Sequence, residues 1–217
     1  TVWAWGRNAD GQLGVGTTVH SNVPIQVSTL TGIQAIAAGA FHSLAVKDDD
    51  TVVAWGGNNY GQLGNATAFF GSNKKSPTPV SNITGVTAVE GGQDHSLAMK
   101  ADGTVWAWGH NQVGQLGNGL PGDWSVPRQV QGLTQASSIS AGLFHSMAIE
   151  DDGTAWAWGI GVFGVLGNGN WSNQFAPVSV SAPGEVHGIS GGYLHSLALV
   201  TLPPLACGDT ITADTEL

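Results

Sequence analysis

Charge is scarce in this chain. Only 10% of its 217 residues are Asp, Glu, Lys or Arg, against about 25% in an ordinary domain. Asn, Gln, Ser, Thr and backbone groups must therefore carry the solvent face, a surface style that points to a secreted or cell-surface protein. Basic residues are scarcer than acidic ones. Arg7, Lys47, Lys74, Lys75, Lys100 and Arg128 face fifteen acids, for a net charge of -9, which opposes binding to nucleic-acid phosphates and to anionic membranes. No apolar run approaches the length of about 18 residues that would insert in a bilayer. Cysteine occurs once, at Cys207, so no internal disulfide can form and no Cys/His cluster is available for zinc. The Walker loop and H-E-x-x-H are missing, and Glu90, Glu150 and Glu185 fall at unrelated positions, which leaves no carboxylate pair for glycoside chemistry. No catalytic residue, metal or cofactor is assigned. Helical periodicity of useful length is absent too.

Glycine and tryptophan, by contrast, are plentiful, with 33 and 9 residues. They are periodic. Trp5, Trp55, Trp108 and Trp158 recur at spacings of 50, 53 and 50, and His42, His95, His145 and His195, each followed by Ser, recur at 53, 50 and 50. Gly14, Gly64, Gly117 and Gly167 close a Leu-Gly in every copy. Self-similarity at this period marks a repeat architecture. Four units result, at about 1–50, 51–103, 104–153 and 154–200, and residues 201–217 read as a linker and the start of a further domain. The extra residues of the second unit fall between Gly64 and Pro79, in a Gly/Ser/Asn/Lys segment where insertion costs least.

Within a unit, Thr104-Val-Trp-Ala-Trp108 alternates large and small residues with the period of a strand. His95 to Lys100 is a second strand, and Ala101-Asp-Gly103 the turn that joins the two as a hairpin. Ile33–Ala38, Val86–Val89 and Ser137–Ser140 precede a glycine that bends the chain into the His-Ser strand. Repeats of this length built from several short strands are propeller blades. The strings Trp-Gly-x-Asn-x-x-Gly-Gln-Leu-Gly at 55–64 and 108–117, followed by Gly-x-x-His-Ser, resemble the repeat of the regulator-of-chromosome-condensation family over about residues 1–200. The fourth unit departs, with Gly161 for Asn and Val165 for Gln.

The resemblance implies an all-β propeller, closed by seven blades in that family. Four repeats make a partial propeller or a ring completed by oligomerisation. The chain begins on the second strand of a hairpin and ends on the first, so three arrangements are open: pairing within the chain, head-to-tail pairing between chains, or a piece of a longer propeller. The opening Thr1-Val-Trp-Ala-Trp5 suggests a processed or excised piece. Beyond Pro203-Pro204, residues 206–214 are similar to the opening of parallel β-helix regions in large prokaryotic surface proteins.

Gly159-Ile-Gly-Val-Phe-Gly164 has the form of a dinucleotide fingerprint, but it aligns with the ordinary repeat turn and no helix follows. The periodic histidines are expected to be structural, because a need repeated in every blade is usually a buried hydrogen bond, whereas a catalytic site is asymmetric. Trp5, Trp55, Trp108 and Trp158 are expected to pack between blades. Asp48–Asp50 and Asp151-Asp152 lack the spacing of a calcium loop and read as solvated turns. The loops that follow each Leu-Gly break the repeat, and variable loops on a rigid scaffold carry function. Phe69, Phe70, Lys74, Lys75, Trp124, Trp171 and Phe175 there form the candidate binding face; the alternative is that the rings fold back over blade edges. The resulting expectation is a non-enzymatic module that presents loops to a protein or a glycan, with self-association as a further option. The competing expectation, implied by the family's namesake, is guanine-nucleotide exchange on a small GTPase.

Overall fold

A computed structural model describes residues 1–68 and 70–203; Phe69, Cys207 and most of the expected linker lie outside them. Sixteen strands fill this span. They are β1 (Trp3–Gly6) and β2 (Ser21–Gln26), then β3 (Ile33–Ala38), β4 (His42–Lys47), β5 (Val52–Gly56) and β6 (Lys74–Pro79). The pattern repeats as β7 (Val86–Gly91), β8 (His95–Lys100), β9 (Val105–Gly109) and β10 (Trp124–Gln129), and again as β11 (Ala136–Ala141), β12 (His145–Glu150), β13 (Ala155–Gly159) and β14 (Gln174–Ser179). It closes on β15 (Glu185–Gly191) and β16 (Ser196–Thr201). Among the described residues the only helical element is a single 3-10 turn, Val162–Gly164.

The strands form three four-stranded antiparallel sheets, β3 to β6, β7 to β10 and β11 to β14, flanked by the two-stranded sheets β1-β2 and β15-β16. This is an open arc of a propeller, three whole blades between two half blades. The blades are out of phase with the sequence repeat: each unit opens on the third strand of one blade and ends on the second strand of the next.

The order of strands follows from their residues. In the three whole blades the second and third strands are largely buried, and the third is apolar, as in Val52-Val-Ala-Trp55 of β5, all buried. The fourth strand forms the rim, and each rim strand has proline in its fourth place: Pro24, Pro77, Pro127 and Pro177. Proline cannot donate to a further strand, so it blunts the outer edge against pairing.

One hydrogen-bonded latch recurs between blades. The Gln62 carbonyl accepts both Ser96 Oγ (2.8 Å) and Trp108 Nε1 (2.9 Å) from the following blade. Gln115 does the same for Ser146 (2.8 Å) and Trp158 (3.0 Å), and Gln12 for Ser43 and Trp55, both at 2.8 Å. The histidine of the earlier blade reaches that same serine: His42 Nε2 lies 2.8 Å from Ser96 Oγ, His95 3.0 Å from Ser146, and His145 3.0 Å from Ser196. These three rings are buried, and desolvation lowers their pKa to about 4, 3 and 4 respectively. The neutral rings are thus spacers between blades. Glycine is required where the tryptophan arrives: a β-carbon on Gly117 would lie 2.8 Å from the Trp158 ring, and Gly117 has φ +62°.

The latch is unfinished at both ends. Trp55, Trp108 and Trp158 are buried, but Trp5 is exposed, and so is His195. Among the described residues no blade precedes Trp5 and none follows His195, which is why these two members of their series do not pack as their counterparts do.

Candidate functional site

Antiparallel succession gives the arc two dissimilar faces. Within a blade, the loop between first and second strands and the long loop between third and fourth emerge at the same end. They are stitched together there: Gly57 N donates to Phe41 O (2.7 Å), His110 N to Asp94 O (2.9 Å) and Ile160 N to Phe144 O (2.9 Å). The opposite face carries the tight turns. In these, Asp49, Asp102 and Asp152 accept from the backbone and hydroxyl of Thr51 and Thr104, and from the backbone of Thr154. Those hydrogen bonds hold the Asp49 carboxyl down to about 2, and Asp102 and Asp152 below the usual range as well.

The long loops are held by the motif's asparagine. Asn111 Oδ1 accepts from Leu116 N (2.9 Å) and its Nδ2 donates to Leu120 O (2.7 Å); Asn58 does the same with Leu63 N (3.0 Å) and Thr67 O (2.9 Å). A second anchor lies inside the stretch that varies most. The backbone N–H of Asn8, Asn58, Asn111 and Gly161 donates to the side chain of His20, Asn73, Asp123 and Asn173 respectively, at 2.8 to 3.0 Å. Four different loops are thereby pinned at the same point, just before the rim strand. In the fourth unit, where Gly161 replaces the asparagine, the 3-10 turn Val162–Gly164 takes over and Phe163 adopts φ 61°.

The candidate residues separate on this frame. Phe70 and Trp171 stand on the loops and are exposed, at 93% and 70%. Lys74, Lys75, Trp124 and Phe175 open the rim strands. Trp124 is half-buried with the Arg128 guanidinium 4.0 Å from its ring centroid, so its ring lies along the blade.

The same face gathers side chains that the variable loops do not include. Tyr60 and His110 meet at a tilt of 50° with ring centroids 4.4 Å apart, and the Phe144 ring centroid lies 6.5 Å from that of His110. Arg7 sits 5.1 Å over the Phe41 ring. Asp94, buried beside them, accepts from Gln62 Nε2 (2.7 Å) and Gln93 Nε2 (2.8 Å), and burial raises its pKa. Phe163 and Tyr193 are exposed further along. Their signal was present in the sequence as variable positions inside the otherwise constant motifs: the residue after Trp-Gly, the third after that, and the two residues before the periodic His. Chemically the face offers aromatic edges, the cations of Arg7, Lys74 and Lys75 and a few hydrogen-bonding groups. Among the described residues, no group of three or more His, Cys, Asp or Glu is placed to hold a metal.

The family model of the RCC1-like domain matches residues 1–198. The ultraviolet-B receptor UVR8 of Arabidopsis thaliana is 35% identical over 130 residues, which is 58% of this chain and 29% of that protein. Among solved structures, human WBSCR16 superposes over 92% of this chain and 53% of its own, with 27% identity and a TM-score of 0.82. Prp20p of Saccharomyces cerevisiae, described with its binding to Gsp1p and histones, gives a TM-score of 0.84 at 22% identity over 93% of this chain and 52% of that one. The chain spans about half the length of these solved structures.

Proposed function

We propose, from the premise that the chain belongs to the RCC1-like domain family, that it is a non-enzymatic interaction module of an extracellular or cell-surface protein. Its loop face is the binding surface, and a protein is the partner. One observation carries this reading: away from the two flanks and the rim strand β2, the exposed large apolar side chains, among them Val19, Tyr60, Phe70, Leu120, Phe163 and Trp171, lie on the loop face, whereas the opposite face presents aspartate turns. Exposed aromatics gathered on one side of a rigid frame are the composition of binding hot spots. The charge-poor surface supports the location outside the cell.

The test uses the purified chain as bait and compares what it retains with Phe70→Ala, Phe163→Ala and Trp171→Ala. A double change of Asp49 and Asp152 to Asn on the turn face serves as control. Loss of the partner in the loop variants, with the control and the circular dichroism unchanged, is the expected result. Retention by all three would remove the loop face from consideration. Release of labelled GDP from a small GTPase, accelerated by the intact chain, would favour nucleotide exchange instead, and selective capture on a glycan array would replace the protein partner with a sugar.

A further inference from the structure

Neighbouring blades meet on the loop face through one residue from each side. The residue after Trp-Gly of one blade faces the residue before the periodic His of the next. In the first seam these are Arg7 and Phe41, with the guanidinium 5.1 Å from the ring centroid and 3.1 Å from Asp10 Oδ2. In the third seam they are His110 and Phe144, with ring centroids 6.5 Å apart. Both seams carry an aromatic contact, and in the first the chain stacks its own cation on the ring and pairs it with a carboxylate.

The second seam is built differently. Its two places hold Gly57 and Asp94. Glycine contributes no side chain, and a carboxylate stands where the other two seams have phenylalanine. Asp94 is only 7% exposed. It is anchored without being neutralised: Oδ1 accepts from Gln62 Nε2 (2.7 Å) and Oδ2 from Gln93 Nε2 (2.8 Å), and both donors are neutral amides. Among the described residues no cation lies within ion-pair distance of it.

The anchor is a repeated part put to a particular use. Gln62 Oε1 accepts from Tyr60 N (3.0 Å), which leaves its Nε2 for Asp94. In the next unit Gln115 Oε1 likewise accepts from Val113 N (3.2 Å), but its Nε2 lies 3.0 Å from His110 Nδ1 instead. A buried carboxylate held by neutral donors alone is costly. Burial raises the pKa of Asp94; the Gln93 hydrogen bond and His110 oppose that rise, and Asp10 and Asp123 add to it. Each of its oxygens has a second lone pair, so a further donor can be accepted without breaking either amide bond. The outer of the two amides, Gln93, is half-buried, which places the carboxylate just beneath the surface. Beside it stand Tyr60, 37% exposed, and the His110 ring tilted 50° against it.

With the loop face as the binding surface, the reading on which this rests, we propose that the second seam receives an arginine side chain of the protein partner. Its guanidinium lies against the Tyr60 and His110 rings and donates to Asp94. Charge is complementary, since the guanidinium brings the cation that Asp94 lacks, whereas an anionic group would be repelled. Shape selects arginine over lysine: a planar guanidinium rests on a ring and still donates through its edge, as Arg7 does between Phe41 and Asp10.

The test titrates the intact chain, labelled with nitrogen-15, with three small probes: the Nα-acetyl amides of arginine, lysine and citrulline. Citrulline has the shape of arginine without its charge. Saturable shifts of the Gln62 and Gln93 side-chain amides and of the His110 backbone amide are expected with the arginine probe, with a dissociation constant about tenfold or more below that for citrulline. Equal binding of citrulline would overturn the charge pairing, and equal binding of lysine the assignment to arginine. An absence of shifts at these amides with every probe would overturn the proposal outright. Asp94→Asn should abolish the preference for arginine over citrulline, while Asp152→Asn on the turn face should leave it intact. A preference that survives Asp94→Asn would place the guanidinium elsewhere. The comparison of probes on the unaltered chain stands even if Asp94→Asn fails to fold. Arginine-specific shifts confined to the loops of Phe70 and Trp171 would overturn the Asp94 site and leave the loop face as the binding surface.

Discussion

The period of His42, His95 and His145 pointed to a hydrogen bond repeated in every blade, but not to its partners. Each bonds a serine 51 to 54 residues further on, and a separation of one whole blade is visible only once blades are stacked. Burial lowers these rings to about 4, 3 and 4, so below the ordinary histidine value of about 6.5 the unfolded chain binds protons that the native one refuses. Stability should therefore be flat above about pH 7 and fall as pH drops from about 6.5 towards about 4, by about 2 kcal/mol per ring at pH 5. Urea melts at pH 7.5 and pH 5 test this. The exposed Asp49, held down to about 2, titrates outside that window. Gly117→Ala probes the other half of the latch. The added methyl would sit 2.8 Å from the Trp158 ring at a backbone φ of +62°, and left-handed geometry alone costs about 1 to 2 kcal/mol. A loss of about 3 kcal/mol or more is expected on denaturant unfolding.

At the scale of elements, the second and third strands of every blade could be read because they alternate around an unmistakable hairpin turn. The rim strands could not. Lys74-Lys-Ser-Pro-Thr-Pro79 has neither alternation nor β-branched density, and it is a strand only because β5 pairs with it; for the same reason Trp124 and Phe175, expected in loops, open rim strands. The asparagine anchors were hidden in another way, since His20, Asn73, Asp123 and Asn173 share a role without sharing an identity. Where a copy breaks its own rule, a prediction follows. Gly16, Gly119 and Gly169 have φ between +72° and +82°, and the equivalent residue of the second blade is Ala66, at φ 64°. Ala66→Gly removes that strain and should stabilise the chain by about 1 kcal/mol, less the entropy glycine gains on unfolding. A lowered melting temperature would mean that the loop depends on the alanine methyl instead.

Across the whole molecule, the repeat, the blade and the partial propeller were legible, because every unit carries the full set of blade residues. The candidate binding face was only half legible: the insertions between repeats were conspicuous, while Tyr60, His110 and Phe144 sit in short gaps of constant motifs and gather only after three blades are placed side by side. An arc of blades also has a stability profile that no single blade has. Each blade contacts only its neighbours, so protection against local opening should rise towards the middle and fall at unmatched ends. β8, β9 and β12 are covered on both sides, whereas β16 turns Leu197 and Leu199 to solvent. Amide hydrogen exchange in β1 and β16 should therefore be roughly a hundredfold faster than in β8 and β12. Equal protection at the edges and in the centre would mean that the arc opens as one cooperative unit.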